Sequence, residues 1–288
     1  MDAKSVSLYL TYAILAFLVF VYLLFPGKQA GRLLADRLNQ INRELKVELN
    51  PVTPVLPLGL KTLNPAITLF NTTTVTLDSL QFTPNLFSLF KSESSGKFSA
   101  ALLNGIVTGH VSAPRSAAPS GITLTSTFSE LEIAPMAFST GETDLRSRFT
   151  LGGTFDYGTN QTPGNVKGTL RLSNLITEVN NPLLEQLGIS EFHFTTVDID
   201  YTIKNNQMEI QGLKALGEEA TITLTGTGVL NSPVEKSILN LKGEIRPDTA
   251  YLTSFAGLSS VAMLFDDSKK GGIPFTISGT VEKPIFRL

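Results

Sequence analysis

Ile222-Thr223-Leu224-Thr225 and, far upstream, Ile122-Thr123-Leu124-Thr125 alternate one aliphatic side chain with one threonine. In a strand, successive side chains point to opposite faces, so this spacing puts isoleucine and leucine on one side and hydroxyls on the other. The same habit recurs along the chain. It predicts strands over Ala66-Phe70, Thr74-Leu80, Phe98-Leu103, Ile106-Val111, Ile122-Phe128, Arg146-Leu151 and Gly153-Tyr157. Further strands follow over Asn165-Leu172, Phe192-Ile203, Gln207-Leu216, Thr221-Val229, Ser237-Ile245 and Pro274-Val281. A half-buried alternation of this kind belongs to antiparallel sheets, which can turn one face to water.

Turn chemistry agrees. Asn205-Asn206 separates two alternating runs, and a glycine-containing gap separates Leu103 from Ile106, both hairpin signals. Glycine precedes threonine and an apolar residue at Gly153-Thr154-Phe155, Gly168-Thr169-Leu170 and Gly279-Thr280-Val281. Glycine inside strands marks bulges and bends, so the sheet is predicted to curve. No strict repeat period calls for a solenoid or propeller.

Upstream of this β region, Val6 to Phe25 reads VSLYLTYAILAFLVFVYLLF, 20 residues without a charge. At about 1.5 Å rise each, such a run spans roughly the 30 Å hydrocarbon layer of a bilayer. The expected membrane anchor therefore contains Val6, Leu8, Leu10, Ile14, Phe17, Phe20, Leu23 and Phe25. Tyr9, Tyr12 and Tyr22 lie where amphipathic rings favour headgroups, and Pro26-Gly27 stops the helix. A cleaved signal would need a shorter apolar core and a small-residue cleavage site, which does not follow Phe25.

From Gly27 to about Val47, Leu34, Leu38, Ile41 and Leu45 recur at spacings of 4, 3 and 4, one apolar stripe on a helix. It is a candidate partner helix, lying on lipid or on its own β domain, or forming a short coiled-coil seam. Pro51, Pro54, Pro57 and Pro65 then break any helix. The expected organisation is tail and anchor over 1–26, juxtamembrane helix and Pro-rich linker over 27–57, and a β domain over 58–288. The fold class is mainly β, a transmembrane helix followed by a large curved antiparallel sheet, a sandwich or an open barrel with a few short helices. Thr83-Pro84 predicts the start of a short helix through Leu86, Phe87, Leu89 and Phe90. Asp248 predicts a cap for a longer one to Phe265, with Tyr251, Phe255, Leu258 and Ala262 on one face.

Charge excludes some partners. A net charge of -2, from 23 basic and 25 acidic residues, supplies no basic field for nucleic acid. The chain has no cysteine, hence no disulfide, zinc-thiolate site or thiol nucleophile. Lys28, Arg32, Arg37, Arg43 and Lys46 follow the apolar run against Asp36 and Glu44, which on the positive-inside rule puts the bulk of the chain in the cytoplasm. Large domains translocate regardless of flanking charge, so the rule is not absolute here.

No catalytic motif stands out. His110 and His193 each sit alone in a predicted strand without metal-ligand spacing. Asp198 and Asp200 share a strand face, the pattern of a solvated surface more often than of a calcium or acid-base pair. Gly226-Thr227-Gly228 lacks the third glycine and the βαβ setting of a dinucleotide loop. No G-x-S-x-G elbow, H-E-x-x-H helix or P-loop occurs. The expectation is a protein without catalysis, cofactor or metal. If the sheet does not close, its aliphatic face becomes a groove for acyl chains, while a sandwich or barrel core has the same pattern.

Pro57-Leu58-Gly59-Leu60, Leu86-Phe87-Ser88-Leu89-Phe90, Leu103-Asn104-Gly105-Ile106 and the ending Ile273-Pro274-Phe275-Thr276-Ile277-Ser278-Gly279-Thr280-Val281-Glu282-Lys283-Pro284-Ile285-Phe286 carry a resemblance. With the anchor, they resemble the longer variant of the type II secretion system protein N family over nearly the whole chain. The terminal Ser-Gly-Thr-Val-x-x-Pro pattern also resembles AsmA-like proteins, whose β segments form lipid-handling sheets. The first resemblance implies a single-pass protein of a bacterial inner membrane with its bulk in the periplasm. Its partners would be the bilayer and other secretion components, the inner-membrane platform or the outer-membrane secretin. The second implies an intermembrane lipid carrier or bridge, with lipid in the β domain. Neither resemblance carries over a catalytic residue.

Overall fold

The computed structural model describes residues 9, 12, 13, 16, 17, 19, 20, 22–41, 45–56, 58–69, 73–114, 122–140, 143–158, 165–180, 190–248 and 272–287. The chain is mainly β and falls into two compact units, Met1–Leu102 and Leu103–Leu288.

The first unit opens with helix α1 (Gly27–Ile41), followed by β1 (Leu45–Glu48), β2 (Thr53–Val55), β3 (Gly59–Leu63), β4 (Ala66–Leu69), β5 (Thr73–Thr76), β6 (Ser79–Pro84) and β7 (Glu93–Leu102). The helix ends sooner than its apolar spacing predicts. Asn39 takes both backbone groups of Val47, accepting its N–H at Oδ1 (2.6 Å) and donating from Nδ2 to its carbonyl (3.2 Å). The chain is thereby turned back along the helix as a strand, and Leu45 pairs with Leu69 of β4 instead of extending the stripe. Leu34, Leu38 and Ile41 remain on α1. The helix rests on its own unit: the Val52 N–H donates to the Gly27 carbonyl (3.1 Å), and a Cβ on Gly31 would stand 3.0 Å from the Asn50 carbonyl oxygen.

Strands β1, β4 and β5 form a small antiparallel sheet, and β2, β3, β6 and β7 are antiparallel neighbours in that order. Val47, Val52, Leu77 and Ala100 are buried among them. Buried Thr62 donates its hydroxyl to the Asn50 carbonyl (3.2 Å), which satisfies a group that would otherwise cost stability. Thr83 and Pro84 finish β6 rather than opening a helix. Asn85 caps the following 3-10 turn, Leu86–Phe90, its side chain accepting from the Phe87 N–H (3.1 Å).

The second unit contains β8 (Gly105–Pro114), β9 (Thr123–Thr140), β10 (Thr143–Tyr157), β11 (Val166–Asn180), β12 (Glu191–Lys204), β13 (Gln207–Gly217), β14 (Ala220–Val229), β15 (Ile238–Pro247), β16 (Ile273–Thr280) and β17 (Pro284–Arg287). All pair antiparallel in chain order, as one continuous meander. Among the described residues no strand of the unit pairs back to close a barrel. Among the described elements each strand contacts chiefly its two sheet neighbours, and no second sheet packs across them. Of the expected set, the described residues realise one large antiparallel sheet.

Asn205 and Asn206, at φ 49° and 63°, form the predicted two-residue hairpin between β12 and β13, since both central positions of such a turn need positive φ. Register shifts interrupt β9–β10, β10–β11, β12–β13 and β13–β14. Bulges of this kind bend a strand and increase its twist. Two predicted strands, Arg146-Leu151 and Gly153-Tyr157, are one long β10 carried through such an irregularity between Leu151 and Gly153.

Among the described residues no helix is long and apolar enough to cross a membrane. Of the expected anchor, Val6, Leu8, Leu10 and Ile14 lie outside the described residues. Phe17, Phe20 and Leu23 are helical and exposed, and Phe25 follows them half-buried. The predicted helix beyond Asp248 also lies outside the described residues. Asp248 itself donates its N–H to the Glu219 carbonyl (2.8 Å).

Candidate functional site

Register converts the alternation into a surface. Starting at β8, the directly opposed residues Val107, Phe128, Gly153, Leu170, Ile199, Leu213, Leu224, Gly243 and Phe275 make one row across nine strands. A parallel row runs Leu131, Leu151, Leu172, Val197, Ala215, Ile222, Ile245 and Ile273. A third runs Val111, Leu124, Tyr157, Val166, Ile203, Met208, Gly228, Leu239 and Gly279. Not one charged side chain interrupts these rows.

The opposite face is polar with the same regularity. His110, Thr125, Asp156, Lys167, Thr202, Glu209, Thr227, Asn240 and Ser278 form one of its rows. There the Thr154 and Thr169 hydroxyls meet at 3.0 Å, and Arg171 Nε donates to Asp198 Oδ1 at 2.6 Å, both side chains largely exposed. Asp198 and Asp200 are therefore part of a solvated surface, and His110 is exposed on it.

Aromatic rings on the apolar face lie over glycines on the next strand. Tyr201 opposes Gly168, where an added Cβ would stand 2.7 Å from the ring hydroxyl, and Phe275 opposes Gly243 with 2.5 Å left. Phe128 lies over Gly153 and Phe194 over Gly217 in the same manner. A ring that covers bare backbone keeps a glycine-bearing strand packed.

Burial along this face is uneven. Leu224, Leu241 and Phe275 form a buried cluster with Ile210, Leu213, Ile222, Leu239, Ile245 and Ile277 against it. Towards β8 the apolar side chains are mostly half-buried, with Leu131, Val179 and Val197 the buried exceptions. At roughly 4.8 Å between strands, ten strands extend about 43 Å, and 15-residue strands run about 50 Å.

One polar cluster unites residues the sequence keeps far apart. Glu219, 5% exposed, accepts from the His193 backbone N–H (3.0 Å) and faces His193 Nδ1 (3.1 Å), while Glu191 lies 3.4 Å from Nε2. The Glu218 N–H donates to the His193 carbonyl (3.2 Å), so the cluster fastens the β13–β14 turn to β12. Among the described residues no group of three or more acidic, histidine or cysteine side chains is arranged to hold a metal.

The fold and face define a mainly β protein whose second unit, among the described residues, is one large antiparallel sheet with an apolar and a polar side. Comparison of the chain with known protein families, with curated proteins and with solved structures finds no match.

Proposed function

We propose that the second unit carries lipid acyl chains on its apolar face, as an AsmA-like lipid carrier or bridge, and that Val6 to Phe25 anchors the chain in a bacterial inner membrane with its bulk in the periplasm. The observation that carries this reading is the set of uncharged cross-strand rows, half-buried over β8–β12 and uncovered by any second layer among the described residues. A buried methylene contributes about 0.8 kcal/mol, so a sixteen-carbon chain seated on such a face gains on the order of 10 kcal/mol before ordering costs. Water-facing threonines and charges on the other side keep the loaded sheet soluble. The exposed Phe17, Phe20, Leu23 and Leu24 support the anchor, since side chains of this kind belong in hydrocarbon.

The test is the lipid content of the purified full-length chain. Phospholipid should copurify in a saturable amount and fall several-fold in the double variant Leu170→Asp and Ile199→Asp, a directly paired and half-buried couple in the first row. Equal lipid in both proteins would contradict the proposal. An alkaline-phosphatase fusion after Val47 should be active, which tests the side of the membrane independently.

A second reading, a non-catalytic subunit of a type II secretion apparatus, is favoured by β17. All four of its residues are exposed, including Ile285 and Phe286, and it ends the strand order of the sheet. An edge of this sort can accept a strand from a partner. Site-specific crosslinking from Ile285 to a secretin or platform protein would support that reading, and crosslinks to lipid alone would refute it.

A further inference from the structure

The most exposed large apolar side chains of the first unit outside the N-terminal segment sit on the 3-10 turn Leu86–Phe90: Phe87 is 79% and Phe90 is 90% exposed, with Leu86 at 43%. The turn is held from beneath. Buried Ser88 donates its hydroxyl to the Asn85 carbonyl (2.5 Å) and accepts the Ser95 N–H (3.1 Å), and Asn85 receives the Phe87 N–H. The N–H groups of Ser88 and Lys91 are also paired, to the carbonyls of Asn85 and Ser88. Two aromatic rings are thus displayed on a small knob whose own backbone donors are largely satisfied.

The geometry points to insertion of this knob into the headgroup boundary of an anionic phospholipid bilayer, with Phe87 and Phe90 entering the acyl layer. Backbone groups that enter hydrocarbon must already be paired, and the N–H groups of Phe87, Ser88 and Lys91 are. Exposed Lys91 and Lys97 follow the turn in sequence with one acid, Glu93, between them, so the local charge complements anionic headgroups while long lysine stems reach back to water. A protruding knob suits a deformable lipid surface, which requires no complementary pocket. The first unit also contains Val6 to Phe25, so the inference rests on the proposed anchor for its nearby bilayer.

The chain has no tryptophan, so Phe87→Trp installs a single tryptophan that can be excited selectively beyond the absorption of the six tyrosines, and exposure at this position makes the substitution structurally mild. The full-length variant would be reconstituted into phosphatidylethanolamine–phosphatidylglycerol vesicles and floated on a density gradient. The expected result is co-flotation, emission shifted to shorter wavelength, quenching by bromine-labelled acyl chains and loss of quenching by aqueous iodide. A Phe90→Trp variant should behave alike, whereas Ile238→Trp, on the exposed surface of the second unit, should remain iodide-accessible. Co-flotation with a water-exposed tryptophan at 87 and 90 would overturn the knob while sparing the anchor. Shielding that depends on protein concentration and not on bromolipid would assign the knob to a second copy of the chain and equally overturn the inference. Failure to float would overturn the knob and the anchor together.

Discussion

Phe275 lies across the backbone of Gly243, its cross-strand partner, so closely that a methyl group on the glycine would stand 2.5 Å from the ring and 2.5 Å from the Thr223 carbonyl oxygen. The ring in turn stacks on Phe286 with centroids 5.2 Å apart, which ties β15, β16 and β17 together at the most buried part of the sheet. Gly243→Ala should therefore cost about 1–3 kcal/mol, the usual penalty for overfilling a packed site. The measurement is the urea midpoint. Adding Phe275→Leu should recover part of the loss, because the two residues share one contact and their effects cannot be independent.

The hairpin at Asn205-Asn206 offers a backbone test. Both residues have left-handed backbone, which asparagine tolerates and β-branched side chains do not. Asn206→Gly should retain full thermal stability or raise it slightly, and Asn206→Val should lose about 1–2 kcal/mol. An unchanged melting temperature for the valine variant would contradict the turn.

Some elements can be read directly from residues. Ile222-Thr223-Leu224-Thr225 alternates cleanly and β14 follows from it, and Asn205-Asn206 announces its hairpin. The second half of β9 was not legible because Glu130, at φ 57°, interrupts the period just after Phe128. Leu45 continues the helical spacing of Leu34, Leu38 and Ile41, yet Asn39 captures Val47 and makes it a strand residue, a long-range contact that no local pattern announces. The apolar face was legible one strand at a time, whereas its continuity depends on register. The His193–Glu219 contact is likewise created by pairing across 26 residues of chain.

Removing that carboxylate tests what the cluster does. Glu219→Ala leaves the His193 N–H without its acceptor, which should cost about 1–3 kcal/mol. Glu219→Gln keeps an acceptor oxygen and should lose distinctly less. Equal losses in thermal melts of the two variants would show that packing, and not the hydrogen bond, is what Glu219 provides.

Tyr201 sets an alkaline limit. Burial lifts its hydroxyl above the ordinary phenol value of 10.0, and the Asp156 carboxylate acts in the same direction. The folded state then holds this proton more tightly than the unfolded chain does. Its contribution is complete below the unfolded value and disappears as pH rises through the folded one. Melting temperatures should fall more steeply above about pH 10 for the native chain than for Tyr201→Phe. Identical slopes would remove Tyr201 from the alkaline transition.

The most direct test of acyl-chain carriage is photocrosslinking with a phospholipid bearing a diazirine in its acyl chain, followed by peptide mapping of the full-length protein. The account predicts adducts on the apolar rows, at residues such as Phe128, Leu170 and Ile199, displaced by unlabelled phospholipid and absent from Thr154, Asp198 and Asp200. Adducts confined to Val6–Phe25, or distributed equally over both faces of the sheet, would contradict it.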